Sequence, residues 1–335
     1  MIKARKILVM IFALCFCLVL FAGCQKAGSN APASNAQEDN LSIVCTIFPE
    51  YDWVKEIVGN NGNAEITLLL DNGVDLHSYQ PTAEDIIKIA DCDMFIYVGG
   101  ESDGWVEDCL KEATNKDMVV INLLDVLGDS IKEEEVVEGM QPEEEEETEE
   151  GEEEVEYDEH VWLSLKNASI LCQSISDSLC KLDEKNAESY KTNTEKYLQQ
   201  LSEIDGQFQQ AVDSAEYKTV LFGDRFPFRY FVDDYNLEYY AAFVGCSAET
   251  EASFETVVFL AGKMDQLKLP AICVIENSDH KIAETILENT TAKDQKILVM
   301  NSMQSVTGDD VEKGTTYLSI MKENLEVLKS ALNRK

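Results

Sequence analysis

Short β-rich runs alternate with helical patterns along most of the 335 residues, and this alternation restricts the fold more than any other feature of the sequence. The β-rich runs of the first half are Ser42–Phe48, Glu65–Leu70, Met94–Val98 and Met118–Asn122, and the helical patterns between them are Tyr51–Val58, Ala83–Ala90 and Trp105–Ala113. The β-rich runs of the second half are Thr219–Phe222, Tyr239–Phe243, Ile272–Ile275 and Ile297–Met300. Strands and helices that alternate in this way form parallel sheets covered by helices. We therefore predict an α/β fold with two lobes, each built on a parallel sheet flanked by helices.

A long amphipathic helix is predicted between the two halves. Apolar residues recur at helical spacing from Tyr190 to Val212, charged residues lie between them, and the stretch contains no proline. A helix of about 28 residues is about 42 Å long at 1.5 Å per residue. The predicted order is an N-terminal lobe over 41–182, a linker helix over 183–214 and a C-terminal lobe over 215–335. A rigid helical connector of this kind predicts little domain closure.

The start of the chain indicates export and attachment to a membrane. Basic residues precede an apolar run from Ile7 to Ala22, which is typical of a secretory signal. The run ends in Leu-Phe-Ala-Gly-Cys, which resembles the processing site of bacterial lipoproteins, where the cysteine is acylated and becomes the first residue. We expect residues 1–23 to be a lipoprotein signal peptide, Cys24 to be the lipidation site and residues 24–40 to be a flexible tether. The protein would then be extracytoplasmic and held by lipid on the bacterial cell membrane.

The charge of the chain is strongly negative. The sequence contains 27 Lys and Arg against 64 Asp and Glu, a formal net charge of −37. Binding of nucleic acid through its phosphates is excluded, because such binding requires clustered cations. An acidic protein is suited to a cationic partner.

Much of the negative charge lies in Glu133–Glu159, where 17 residues are acidic and none is Lys or Arg. Such a block repels itself and buries little apolar surface, so we predict an acidic disordered loop within the N-terminal lobe. Two interpretations of this loop stay open. It serves solubility alone, or its carboxylates hold cations weakly near the protein.

Seven cysteines remain after the signal and the lipidation site, and no two of them form a CxxC pair. Cys45, Cys92 and Cys273 lie in or beside apolar strand-like runs. Buried free thiols are therefore predicted, with a single disulfide as the alternative.

The chain contains only three histidines. His77 and His280 each follow a predicted strand and precede a predicted helix, whereas His160 lies between the acidic stretch and a helix. Asp224 also follows a predicted strand, and open parallel sheets bind ligands outside the carboxyl ends of their strands. A single histidine in such a loop is more often a surface or capping residue, but imidazoles together with a carboxylate are the ligands that Zn²⁺ prefers. The sequence therefore predicts a metal site, and it contains no HExxH motif of a metalloprotease.

Five segments resemble, in order, the zinc/manganese-type metal-binding lipoproteins that serve ABC importers. They are TIFPEYDWVKEIVGN, GVDLHSYQPTAEDIIKIADCDMFIYVG, DEHVWLSLKNA, the long helix from Asp183 and YLSIMKENLEVLKSAL. The resemblance covers nearly the whole chain after the signal and implies two α/β lobes joined by a rigid helix, with the metal between the lobes. It implies that His77 and His160 are the ligands of the first lobe. It further implies an extracytoplasmic solute-binding component that captures a divalent transition metal, with zinc preferred, and delivers it to an ABC permease in the membrane.

The second lobe departs from the pattern of this family. The family's third ligand lies in a motif resembling S-H-D-A-F, where this chain has FGDRFPF, so that the position falls on Asp224 or on Arg225, which cannot ligate a metal. The family's fourth ligand lies near Glu276–His280. We predict that His280 is the third imidazole and that Asp224 or Asp279 is the carboxylate ligand, a set that favours Zn²⁺. Two histidines with two carboxylates, drawn from Asp224, Glu276 and Asp279, would suit Mn²⁺ better.

Other functions are weighed against this one. A manganese-binding member of the same family and an adhesin-like surface protein with a structural metal are the alternatives. An enzyme would need an open coordination site with an acid or base beside a substrate pocket, and the sequence offers no nucleophile motif. We predict a binding protein that is a monomer, is not an enzyme and binds no nucleic acid.

Overall fold

The computed structural model of the protein describes residues 40–61, 64–141, 156–247 and 251–334. The predicted signal peptide, the lipidation site Cys24 and the tether up to residue 39 lie outside the described residues. In the described part of the chain, no helix is both long and apolar enough to cross a bilayer.

The first sheet has four parallel strands in the order β2-β1-β3-β4. Its strands are β1 Leu41–Cys45, β2 Ala64–Leu68, β3 Met94–Tyr97 and β4 Val119–Asn122, and its helices are α1 Phe48–Val58, α2 Ala83–Asp91, α3 Val106–Lys111 and α4 Leu123–Leu127. Ile43 of the central strand β1 is paired with Ile66 on one side and Met94 on the other. Helix α2 begins at a capping box between Thr82 and Asp85, which satisfies backbone N–H groups of its first turn.

Two long helices, α5 Leu165–Leu182 and α6 Ala187–Asp213, connect the halves of the chain. The predicted linker helix is present as α6, but it begins at Ala187 and not at residue 183. The reason is a turn at Asp183, whose carboxylate accepts hydrogen bonds from the Asn186 side chain at 2.6 Å and from the Tyr190 hydroxyl at 2.8 Å. This carboxylate holds the turn between α5 and α6.

The second sheet repeats the order of the first, as β6-β5-β7-β8, again with parallel pairing. Its strands are β5 Thr219–Phe226, β6 Glu238–Val244, β7 Ala271–Ile275 and β8 Lys296–Met300, and its helices are α7 Arg229–Asp234, α8 Phe254–Leu267, α9 Lys281–Glu288, α10 Gly308–Glu312 and α11 Tyr317–Ala331. The predicted two-lobed α/β fold is thus confirmed. In both sheets the chain reverses its direction of strand addition beside the first strand, which is where open α/β sheets bind ligands.

The two lobes share a large apolar core, and a second, smaller apolar cluster lies within the C-terminal lobe. The C-terminal helix α11 packs beside α1, with the rings of Tyr317 and Trp53 at 5.4 Å. The Tyr317 hydroxyl donates to the backbone oxygen of Trp162 at 2.7 Å, and the Trp162 indole donates to the backbone oxygen of Ser302 at 2.9 Å. All four side chains are buried, so these bonds join the loops of one lobe to those of the other.

All seven cysteines of the described residues are free thiols. Cys45, Cys92 and Cys273 are buried, as predicted from their apolar neighbours. Burial raises the pKa of the Cys273 thiol to about 12, so this thiol is inert near neutral pH.

The acidic stretch is ordered at both ends. The prediction of one disordered loop over 133–159 is therefore wrong for these end segments. Glu133 pairs with Tyr157 in an antiparallel bridge, and the Asp158 backbone N–H donates to the Lys132 carbonyl at 2.9 Å. The Tyr230 hydroxyl of the second lobe donates to the Asp158 carbonyl, which fastens this base across the lobes. Backbone pairing and a buried anchor therefore outweigh charge repulsion at the ends, and residues 142–155 lie outside the described residues.

Asp52, on α1, should make the stability of the metal-free protein fall as pH rises. Burial raises the pKa of Asp52 to about 7, although the hydrogen bond from the Tyr317 backbone N–H acts in the opposite direction. The unfolded chain loses this proton near pH 3.9, so between about pH 4 and pH 7 the folded state holds more protons and loses stability as pH rises. In Asp52→Asn, the fall in unfolding free energy from about pH 5 to about pH 8 should be smaller by about 1–3 kcal/mol.

Urea unfolding of the wild type and the variant with a chelator present measures this difference. Asp117→Asn, at an exposed aspartate, is the matched control and should keep the wild-type slope. An identical pH dependence in Asp52→Asn and the wild type would contradict the assignment.

Candidate metal centre

His77 lies in the connection that follows β2, within a short 3₁₀ turn over Leu76–Ser78. The Asp75 carboxylate accepts from the His77 backbone N–H at 3.1 Å and so caps the turn. The His77 Nδ1 lies 2.7 Å from the Ser102 hydroxyl, which follows β3, and 3.5 Å from Glu159 Oε2. These contacts fix the ring with Nε2 on the opposite side.

His160 stands immediately before another 3₁₀ turn, Val161–Leu163, and its side chain is completely buried. Its backbone N–H donates to Asp158 Oδ1 at 2.8 Å, and its Nδ1 lies 3.1 Å from the same oxygen. A carboxylate accepts only, so His160 carries its hydrogen on Nδ1 and presents a lone pair at Nε2. Metal-binding histidines are usually held in this way by a carboxylate behind the ring.

The two imidazoles meet at their Nε2 atoms, which are 3.1 Å apart. Two nitrogens that each lie about 2.05 Å from a tetrahedral Zn²⁺ are about 3.3 Å apart, so the observed spacing needs almost no adjustment. Gln304, after β8, reaches the same point from the second lobe, with its Nε2 at 2.5 Å from His160 Nε2 and 3.4 Å from His77 Nε2. The lone pairs of both rings therefore converge on one place between the lobes.

The two rings differ in their affinity for protons. Burial and the neighbouring His160 lower the pKa of His77 to about 3, so its ring is neutral at any physiological pH. Burial also acts to lower the pKa of His160, but the Asp158 and Glu159 carboxylates outweigh it and the pKa is raised. A metal cation at this point replaces the proton that these carboxylates favour.

Cys246 completes a group of three ligand-bearing side chains. The ligand atoms of His77, His160 and Cys246 lie within 4.8 Å of one another. The described part of the chain contains no other group of three such side chains that could hold a metal ion. A cavity of about 260 Å³ opens beside them, lined by His77, Glu101, Ser102, Glu134, Glu156, Tyr157, Glu159 and Cys246. Imidazole nitrogen and thiolate sulfur are zinc donors, and the carboxylates at the opening attract cations.

Arg225, one of the two residues that the sequence analysis considered for the family's third ligand position, lies in β5. Its guanidinium donates to Asp75 Oδ2 at 2.7 Å and to the Ser247 carbonyl at 3.3 Å. The ion pair with Asp75 joins the two lobes and holds the pKa of the Asp75 carboxyl low against the effect of burial. Arg225 therefore connects the segments that carry His77 and Cys246.

The structure does not bring the predicted second-lobe ligands His280, Asp279 and Asp224 into this group. His280 is the N-cap residue of α9, with a positive φ of 64°, and exposed Asp279 pairs with Lys281 two residues further on. Asp224 lies within β5 beside a register shift, not in a loop, and its Oδ1 accepts from the Arg225 backbone N–H. The helix start and the extended strand therefore place these three residues outside the group, and their role as ligands stays a prediction.

Glu276, the remaining carboxylate candidate, is engaged in the loop after β8. It accepts from the Ser302 backbone N–H and hydroxyl, at 2.6 and 2.8 Å, and from the Gln304 backbone N–H at 3.1 Å. Its carboxylate therefore supports the loop that carries Gln304 to the histidines.

The sequence analysis missed Cys246 and Gln304. Cys246 was detectable, because it follows Gly245 directly after a predicted strand, the same kind of position that selected His77 and His280. Gln304 had no such signal, since an amide after a strand is common and its residue type indicates no metal.

Comparison with known proteins also leads to proteins of zinc uptake and zinc binding. The family model of the periplasmic zinc-uptake complex component A, ZnuA, matches residues 43–331. The high-affinity zinc uptake system protein ZnuA of Bacillus subtilis is 29% identical over 323 residues, covering 96% of this chain and 97% of that protein. The zinc-binding protein AdcA of Streptococcus pyogenes is 28% identical over 296 residues, which cover 87% of this chain but only 56% of AdcA. The crystal structure of the Zn(II)-bound ZnuA-like domain of Streptococcus pneumoniae AdcA is 27% identical, with a TM-score of 0.68, covering 88% of this chain and all of that one.

Proposed function

The chain belongs to the ZnuA family, the periplasmic component A of zinc-uptake complexes, and we propose that it captures Zn²⁺ outside the cytoplasm and delivers it to an ABC permease. Members of this family are components of metal uptake and not enzymes, in agreement with the sequence analysis. The cargo ion is bound between the lobes by His77 and His160.

The observation that carries the proposal is the pair of imidazole Nε2 atoms 3.1 Å apart. Two lone pairs at this distance repel one another unless a proton or a cation lies between them. The Nδ1 atom of each ring has its own polar neighbour, Ser102 for His77 and Asp158 for His160. Both Nε2 atoms can therefore bind the same cation once the Gln304 amide, 2.5 Å from His160 Nε2, moves aside.

The donor atoms favour zinc over manganese. Imidazole nitrogens suit Zn²⁺, whereas Mn²⁺ prefers carboxylate and carbonyl oxygens. The carboxylates of Asp158 and Glu159 lie behind the Nδ1 atoms. The Asp75 carboxylate lies 4.0 Å from His77 Nε2, but it is paired with Arg225 at 2.7 Å. A cavity opens at this site, and exchange of a cargo ion requires such an opening. An adhesin with a purely structural metal would not need it.

The acidic stretch contributes to capture through its ordered ends. Glu134 and Glu156 line the cavity beside His77. Burial raises the pKa of the Glu134 carboxyl, and a nearby cation would favour its ionised form. These carboxylates therefore raise the local concentration of cations at the opening.

Attachment to the membrane completes the proposal. We infer a lipid anchor at Cys24, made after removal of residues 1–23, with residues 24–40 as the tether. Anchoring would keep the zinc site within reach of a permease in the same membrane. Retention of Cys24→Ala in the membrane fraction after normal processing would contradict this anchor.

Zinc titration of the metal-free protein tests the proposed site. The wild type should bind one Zn²⁺ tightly, and release to a chelator should be complete and reversible. His77→Ala should weaken binding at least tenfold, about 1.4 kcal/mol, because one of two converging nitrogens is lost.

His280→Ala is the matched control, since it removes an imidazole that lies outside the group. It should retain the wild-type affinity. Tight binding that survives His77→Ala but not His280→Ala would overturn the assignment and restore the ligand set predicted from the sequence.

A further inference from the structure

Cys246 differs from the other cysteines of the described residues in its position. Cys45, Cys92, Cys109, Cys172 and Cys273 are buried in the core. Cys246 is partly exposed and lines the cavity beside His77. Its sulfur is therefore accessible to an ion that enters the cavity.

The backbone before Cys246 is fitted against the His160 ring. A Cβ atom at Gly245 would lie 2.9 Å from Cε1 and 3.0 Å from Nδ1 of His160, so only glycine allows this approach. The Cys246 backbone N–H donates to Glu134 Oε1 at 3.1 Å, which fixes the turn after β6. The close contact and the hydrogen bond together hold the thiol beside the two imidazoles.

In the metal-free protein, burial and the carboxylates of Glu134, Asp158 and Glu159 raise the pKa of the Cys246 thiol, so a thiolate at this point requires a cation bound beside it. Two neutral imidazoles bring no negative charge to the ion itself, since the carboxylates of Asp158 and Glu159 lie behind the rings, and Arg225 adds a further cation nearby. Asp75 neutralises that arginine through their 2.7 Å contact. A thiolate would lower the charge of the zinc group by one, and thiolate is a strong zinc donor.

We propose that Cys246 is the third protein ligand of the zinc site, which makes it a His₂Cys site; this inference rests on the proposed function. On binding, the Cys246 S–H bond breaks, the sulfur electron pair forms the bond to Zn²⁺, and the proton passes to solvent. Arg225 positions the ligands, because it binds Asp75 two residues before His77 and the carbonyl of Ser247 directly after Cys246.

Cobalt substitution provides the direct test. Co²⁺ added to the metal-free protein should give the near-ultraviolet charge-transfer absorption of a thiolate–cobalt bond. Cys246→Ser should lose this absorption and bind Zn²⁺ at least tenfold more weakly. Cys180→Ser is the matched control, because Cys180 is also partly exposed but lies on α5 and donates to the Ala187 carbonyl.

A second measurement uses the wild-type protein and needs no variant. Zn²⁺ should protect Cys246 from alkylation by iodoacetamide, as mapped by peptide mass, and should release about one proton per ion more in the wild type than in Cys246→Ser. Absence of both the absorption and the protection, with tight zinc binding intact, would overturn the thiolate ligand and leave the proposed function standing. Failure of the wild type to bind Zn²⁺ would overturn both.

Discussion

The His160→Ala variant is expected to lose tight zinc binding, with an affinity about 100-fold or more below that of the wild type, about 2.7 kcal/mol or more. His160 is completely buried, and its Nε2 lies 3.1 Å from that of His77. Removal of the ring deletes a nitrogen donor and leaves the Asp158 carboxylate without the Nδ1–H that it accepts. The loss should exceed that of His77→Ala, because His160 is the more deeply held of the two.

Competition against a chromogenic zinc chelator measures this loss over the required range. His280→Ala again serves as the control for removal of an imidazole. Thermal unfolding should also show that added Zn²⁺ stabilises the wild type and His280→Ala but not His160→Ala, since a ligand stabilises only a state that binds it. Equal stabilisation of His160→Ala by zinc would remove His160 from the site.

The fold was predictable because its signals are local. Each predicted strand from Ser42–Phe48 to Ile297–Met300 overlaps a strand of the structure, since short β-rich runs bounded by helical patterns need no long-range information. The start of α6 was not predicted, because residues 183–189 contain no proline or glycine that would mark a break before the helix. The turn at Asp183 depends on side-chain hydrogen bonds to Asn186 and Tyr190, which periodicity does not report.

For the candidate metal centre, the sequence predicted the residues of the first lobe but not the residue of the second lobe that the structure places beside them. Resemblance selected His77 and His160, and the structure places them together. In the second lobe, the prediction relied on residue type and favoured His280, whereas the approach to His160 is made by Gly245 and by the residue that follows it. Tertiary packing decides which strand end contacts the His160 ring. A single sequence does not show which backbone segments approach one another closely, so it could not identify Gly245 and Cys246.

Charge composition was equally incomplete as a guide to the acidic stretch. Seventeen acids predict repulsion, but the stretch begins beside Lys132, whose ammonium pairs with Asp233 at 2.7 Å. Farther along, the Glu135 carboxylate pairs with the Arg229 guanidinium at 3.1 Å. These partners belong to the second lobe, so long-range pairing orders the residues that composition alone assigns to a disordered loop.

Trp162 connects the proposed zinc site to the stability of the whole protein. Its ring is buried 5.2 Å from the His160 ring, and its indole N–H and its backbone oxygen bond to Ser302 and Tyr317, respectively. The contact with Ser302 bridges 140 positions of the sequence. Loss of this side chain therefore removes packing at the junction of the lobes and directly behind a ligand.

Trp162→Ala should lower the unfolding free energy of the metal-free protein by about 3–5 kcal/mol, the usual cost of removing a buried tryptophan. Trp162→Phe keeps much of the volume but leaves the Ser302 carbonyl without its donor, so a loss of about 1–3 kcal/mol is expected. Urea unfolding with a chelator present gives both values. Trp105→Ala is the control, because Trp105 lies within the first lobe against Tyr79.

Zinc affinity separates the role of Trp162 from simple loss of packing. Because the Trp162 ring supports His160 from behind, both Trp162 variants should bind Zn²⁺ more weakly at temperatures where they remain folded, in the order Ala below Phe below wild type. Trp105→Ala should retain the wild-type zinc affinity despite its own loss of stability. If Trp162→Ala were folded and bound zinc as tightly as the wild type, the lobe junction and the zinc site would be independent, and the rigid placement of His160 would have to come from Asp158 alone.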